Sequence, residues 1–143
     1  MLPIDTKNFG NLSTEYKSDL QEILAKVAEY YPNFDDRRRK KIIRAFCLAE
    51  HTHKKQKRTS GESYITHPIA ATKILLQLEP DVDTVCACLM HDVIEDTPVT
   101  ATQIEEEFDV NIRFLCEGVE KVAKVRISNT DSNQRKFENV QKL

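Results

Sequence analysis

Apolar positions recur along this chain at helical spacing, and few stretches read any other way. Leu20, Ile23, Leu24 and Val27 form a first stripe, with the three- and four-residue intervals that put side chains on one helix face. Ser18 and Gln21 stand at capping-box spacing near its start, and Pro32 lies just beyond its end. A second stripe, Ile42, Ile43, Phe46 and Ala49, runs towards His53, with Asp35 or Asp36 as its N-cap. Lys54 to Ser63 is polar and holds Gly61, so it reads as a loop. A third helix follows, with Pro68 in its first turn and Ile69, Ile74, Leu75 and Leu78 as its apolar face. Asp83 can cap a fourth, which carries His91-Asp92 and stops near Thr97-Pro98. Thr100 and Gln103 have capping-box spacing for a fifth, faced by Ile104 and Phe108. Ile112 and Leu115 belong to a sixth that Gly118 ends. Ser128 to Asn133 is a polar break, and Gln134 to Leu143 starts a further helix. With no internal repeat and no alternation long enough to require a sheet, the expected fold class is all-α.

Composition narrows this picture. At 143 residues the chain is expected to be one domain, large enough to bury roughly two-thirds of its unfolded surface. Only 3 glycines and 5 prolines argue against a turn-rich β architecture. The net charge of −2 gives no general attraction to DNA or to a membrane surface. The basic run Arg37 to Lys41 lies in the first turns of the second helix, the less favourable end for positive charge, and reads as a solvated face. No segment has the apolar length of a membrane span, and Met1 to Gly10 shows no signal-peptide pattern. Residues 1–17 read as an N-terminal extension. The 4 cysteines, Cys47, Cys86, Cys88 and Cys116, form no metal-binding pair and no secreted framework. They are expected as buried thiols in a reducing cytoplasm.

The chemistry concentrates in His91-Asp92-Val93-Ile94-Glu95-Asp96. Read as one helix, Glu95 lies a turn after His91 and Asp96 a turn after Asp92, so all four side chains fall on neighbouring arcs of one face. An imidazole beside carboxylates suits a divalent ion held by mixed nitrogen and oxygen ligands, with spare carboxylates to handle protons. The bland alternative is a polar helix end facing water. Against it stands the apolar run Val85 to Met90 immediately before, where uncompensated charge is costly.

Arg58-Thr59-Ser60-Gly61-Glu62-Ser63-Tyr64-Ile65-Thr66-His67-Pro68, followed by His91-Asp92-Val93-Ile94-Glu95-Asp96-Thr97, closely resembles the RelA/SpoT homologues. These proteins make and degrade the alarmone (p)ppGpp, and the match is to their N-terminal hydrolase domain, a helical bundle of the HD superfamily. The interval of 24 residues from His67 to His91 suits that domain. Phe108, Gly118, Val119 and Lys121 continue the resemblance, which covers roughly Ala45 to Val122.

The resemblance implies that His67, His91 and Asp92 ligate one manganese ion. Glu95 and Asp96 would polarise a water or move its proton for attack on the 3′-pyrophosphate of the nucleotide. Arg58 and Ser60 would contact the nucleotide and its phosphates, with Lys54 and its neighbours adding positive potential. His53 matches a histidine near that loop which is not a ligand, and it is grouped here with the substrate-binding residues. For His67 alone an N-cap before Pro68 is the competing role, and for Tyr64 and Ile65 simple core packing is expected.

The chain also departs from the family. Lys55, Thr59, Asp109 and Glu120 stand where a small residue, a basic residue, glycine and threonine are common. A further aspartate that closes the family's metal site belongs to a segment following the region matched by Phe137 to Leu143. The domain therefore reads as incomplete at its C-terminus, with a complementing segment or a synthetase domain as an implied partner. The alternatives are a degenerate or split HD domain kept as a nucleotide-binding or regulatory module, or an HD phosphohydrolase of another nucleotide.

Overall fold

Leu20, Ile23, Leu24 and Val27 are buried together, and this stripe orients the first helix, α1 (Thr14–Tyr30). The computed structural model describes residues 14–54, 61 and 63–118. Beyond α1 these residues form α2 (Asp36–His53), α3 (Thr66–Leu75), α4 (Val82–Leu89), α5 (Val93–Asp96) and α6 (Ala101–Glu107), then α7 over 110–118. A 3₁₀ turn, Leu76–Leu78, finishes α3. Among the described residues there is no strand, so the fold is all-α.

The core sits where α2 crosses α4, the most extensive helix contact; α3 packs on α4, α1 lies against α2 and α3, and α5 touches α2. Phe46, Leu48, Leu89 and Met90 are fully buried there. Each large apolar side chain removed from water contributes roughly 1.5–3 kcal/mol, so this centre holds α2 and α4 at a fixed spacing. That matters because α2 ends at His53 and α4 runs into His91.

The caps confirm much of the expected punctuation. Asp35 caps α2 by accepting from the Arg38 backbone N–H at 2.9 Å. Thr100 and Gln103 form a reciprocal capping box on α6. The basic run is solvated over Arg37, Arg39 and Lys40, but Lys41 is not: its ammonium donates to Asp83 and to Asp109, at 2.8 Å each. Asp109 also accepts from the Ile112 backbone N–H at 2.8 Å, which caps α7. An aspartate where the family favours glycine thus ties α7 to α2.

These charges give the protein a pH signature. Burial opposes the charged form of Asp109, but Lys41 and backbone donors outweigh it and hold the carboxyl below its ordinary 3.8. Its stabilising contribution is therefore complete above that value and lost as pH falls through the depressed folded pKa. Burial likewise disfavours the charged Lys41, yet its two carboxylates raise it above 10.5, so its contribution is complete below that value and lost as pH rises through the folded pKa. Lys41→Met should lower stability at neutral pH and weaken its dependence on acidification below about pH 4. Denaturant titrations at a series of pH values read both effects.

Several local expectations change. Ser18 caps nothing, because α1 is already helical from Thr14, and Tyr16 is part of the core. Ile74 and Leu78 face outwards, 68% and 79% exposed. The buried face of this segment is Ile65, Ile69, Thr72 and Leu76, a set at regular helical spacing on a different face from the expected one. The α4 cap is Asp81, accepting from the Thr84 backbone N–H at 2.8 Å, and Asp83 is instead the partner of Lys41 and Asn111. Gly118 is still helical, and the continuation to Leu143, with Glu120, lies outside the described residues.

Candidate metal centre

His91 and Asp92 do not ride on a continuous helix. α4 ends at Leu89, with Met90 at φ −105°, ψ 10°, and α5 starts only at Val93, after Asp92 at φ −96°, ψ −3°. Both residues occupy the bridge region common in turns and active sites. The hydrogen bonds tighten here: His91 N–H reaches back three residues to the Cys88 carbonyl at 3.4 Å, and Val93 N–H to that of Met90 at 2.9 Å. The single helical face expected for His91 to Asp96 is thus replaced by a turn followed by a four-residue helix.

In that turn the two side chains converge. His91 Nε2 lies 3.2 Å from Asp92 Oδ2. His91 Nδ1 is 2.6 Å from the Cys88 carbonyl oxygen; a carbonyl only accepts, so Nδ1 carries a proton and Nε2 is the atom aimed at Asp92. His67 arrives from the first turn of α3, its Nε2 3.7 Å from the same Asp92 oxygen. It does not cap α3, whose N-cap is Ile65, so the competing role for His67 falls away. The two imidazoles meet edge to face at 5.2 Å. One ligand atom from each of His67, His91 and Asp92 lies within 4.8 Å of the others.

The electrostatics follow from this packing. Burial disfavours a charged His91, but Asp92, the Cys88 carbonyl and Asp96 more than offset it and raise its pKa. Burial works against the Asp92 carboxylate, and His91, His67 and His53 overcome it and lower its pKa. Two imidazole nitrogens and one carboxylate oxygen suit a divalent first-row ion. A ring nitrogen fixed by a backbone carbonyl is the usual outer support of a metal-binding histidine. The donor set fits a divalent metal. His67, with 41% of its side chain exposed against 16% for His91, marks the open side from which a ligand would approach.

The remaining expected residues distribute unevenly. Asp96 and Glu95 are exposed on α5, and Asp96 is joined to the cluster through Tyr64. The Tyr64 hydroxyl donates to Asp96 Oδ2 at 2.6 Å and lies 3.4 Å from Asp92 Oδ2. Its pKa is raised, first by burial and then by those two carboxylates. Ile65 is core, as expected; Tyr64 is not simply core. Only its place three residues before His67 could have singled it out, because a tyrosine in an apolar pair gives no periodic signal. His53 is completely buried and stacked on the Tyr64 ring at 4.6 Å. With no exposed surface, its ring packs against Tyr64 at the end of α2. Lys54 is the exposed C-cap of α2, acting on the charge of Glu50. Arg58 and Ser60, with Lys55 and Thr59, lie outside the described residues. Gly61, just before α3, has φ +88°, a left-handed conformation that costs glycine little.

Comparison with known proteins shows the family. Residues 45–143 match the family model described as an HD domain. The chain belongs to the HD-domain family. Among curated proteins, this HD domain is similar to those of the RelA/SpoT group, and it belongs with them. It is 40% identical over 104 residues to the Escherichia coli protein named bifunctional (p)ppGpp synthase/hydrolase SpoT, covering 73% of this chain and 14% of that protein. It is 37% identical over 119 residues to an Aquifex aeolicus protein named guanosine-3′,5′-bis(diphosphate) 3′-pyrophosphohydrolase, covering 82% of this chain and 16% of the relative. A Mycobacterium leprae protein named probable GTP pyrophosphokinase is 36% identical over 113 residues, covering 78% and 14%. The HD domain thus spans about a seventh of the length of these relatives. Among its described residues no helix is long and apolar enough to cross a membrane.

Proposed function

We propose that this HD domain hydrolyses the 3′-pyrophosphate of (p)ppGpp in a manganese-dependent reaction, releasing pyrophosphate and leaving GDP or GTP. The observation that carries the reading is the meeting of His67, His91 and Asp92 within 4.8 Å, beside a carboxylate, Asp96, that Tyr64 ties to them. The names of the relatives support the substrate. Held by those three residues, a manganese ion would offset phosphate charge and acidify water.

The chain's own groups then divide the work. In the reaction a water oxygen bonds to the phosphorus attached to O3′, the P–O3′ bond breaks, and O3′ leaves to become a hydroxyl. Asp96 is the carboxylate placed to accept the water's proton, with Glu95, one residue before it on α5, as the second proton carrier. Arg58 offers a planar donor fork for phosphate or a flat cation against guanine, and Ser60 a hydroxyl for a phosphate oxygen. Lys54 adds positive potential at the end of α2. The greater length of the relatives supports a complementing segment or synthetase domain as partner. The cytoplasm is the compartment this chemistry implies, and four free thiols fit it.

Incubation of the purified chain, supplied with a complementing C-terminal segment, with ppGpp and manganese, followed by chromatography of the nucleotides, tests the proposal. GDP and pyrophosphate in equal amounts are expected, with no turnover in chelator. An intact ppGpp pool beside rapid cleavage of another nucleotide in a substrate panel would replace the substrate. Binding of ppGpp without cleavage would make the domain a sensor.

A further inference from the structure

Tyr64 has no part in the proton transfer or ligation just described, yet it touches both halves of the site. Its hydroxyl has one proton and two carboxylates within reach. The contact to Asp96, at 2.6 Å, is short and charge-assisted; the one to Asp92, at 3.4 Å, is at the outer limit of a hydrogen bond. The proton therefore goes to Asp96, and Asp92 keeps its lone pairs for a cation. Asp96 ends a four-residue helix and is exposed, where the hydrogen bond from Tyr64 acts as a tether. Tyr64 can supply one because it is itself held: its ring stacks on His53, which is fully buried at the end of α2. Its carbonyl also accepts from the backbone N–H of His67 at 3.2 Å, so the turn that presents His67 presents the phenol as well.

We propose that Tyr64 is a positioning residue, whose hydroxyl holds the Asp96 carboxylate at a set distance from the Asp92 ligand and so fixes where the proton of the attacking water is received. This rests on the phosphohydrolase reading. Buried His53 serves as the backstop of the phenol ring.

Tyr64→Phe removes the hydroxyl and keeps the ring on His53. In the manganese-loaded chain, kcat for ppGpp should fall about tenfold or more, since a displaced catalytic group costs that much or more. KM and the manganese concentration giving half the melting shift should stay within about threefold, because neither substrate nor ion loses a contact. On an Asp96→Asn background, Tyr64→Phe should cost nothing further in kcat, as expected of two groups acting as one unit. A purely structural tyrosine would instead lower the melting temperature and leave kcat of the folded protein alone. An unchanged kcat in Tyr64→Phe, or full additivity with Asp96→Asn, overturns the assignment. Failure of the underlying reading looks different: the wild-type chain leaves ppGpp intact even with the complementing segment supplied. The unfolding midpoints of the same four proteins then decide the Tyr64–Asp96 contact, and strictly additive midpoints overturn it.

Discussion

Replacing His67, His91 or Asp92 by alanine will remove most of the melting-temperature rise that manganese gives the wild-type chain. An ion that binds only the folded state at a hundred times its Kd adds about 2.7 kcal/mol, a rise on the order of 10 °C for a domain of this size. Each of the three residues contributes an atom to a cluster within 4.8 Å, and no other grouping of at least three such ligands occurs among the described residues. Asp92 should show the largest loss, because it faces both imidazoles. Asp92→Asn is the gentler test, since it keeps the shape and removes the negative charge. His51→Ala is the control. His51 is exposed on α2, and its variant should keep nearly the whole shift. Differential scanning fluorimetry with graded manganese reads all five variants, and an equal loss in His51→Ala would show the ligand set to be misassigned.

Asp96→Asn is expected to lower ppGpp turnover by about a hundredfold or more while leaving the manganese shift in place, the usual size of a general-base contribution. Glu95→Gln should also lower kcat, and the structure makes Asp96 the more sensitive of the two. Its carboxylate is joined through Tyr64 to Asp92, whereas Glu95 is exposed on the first turn of the same short helix. Arg58→Ala should act differently, raising KM with a smaller effect on kcat, because it removes a substrate contact and not a proton carrier. Steady-state kinetics with the metal shift measured in parallel separates the two classes. Turnover unchanged in Asp96→Asn would move the base to Glu95.

The sequence alone was enough to determine the helical class, two of the helix N-caps and the three candidate ligands that the structure brings together. Capping and periodicity are local: Asp35, the Thr100–Gln103 box and the stripe Leu20 to Val27 act within a turn or two of themselves, so their spacing predicts them. His67, His91 and Asp92 were legible for another reason, their match to a family motif whose interval already encodes the fold. Tertiary packing decided the rest. Asp83 has the chemistry of a cap, but Lys41, 42 residues away in the chain, claims it, and Asp81 caps α4 instead. Ile74 and Leu78 match a helical stripe, yet the segment buries Ile69, Thr72 and Leu76 where it packs on its neighbouring helices and leaves those two outside. The break between Leu89 and Val93, which draws His91 and Asp92 together, has no glycine or proline to announce it. Tyr64 could be placed only once α2, α3 and α5 were set beside one another, because its three contacts, His53, Asp92 and Asp96, come from two other parts of the chain. A hydrogen bond between distant segments leaves no period in the sequence, and only the packed helices bring its two ends within reach.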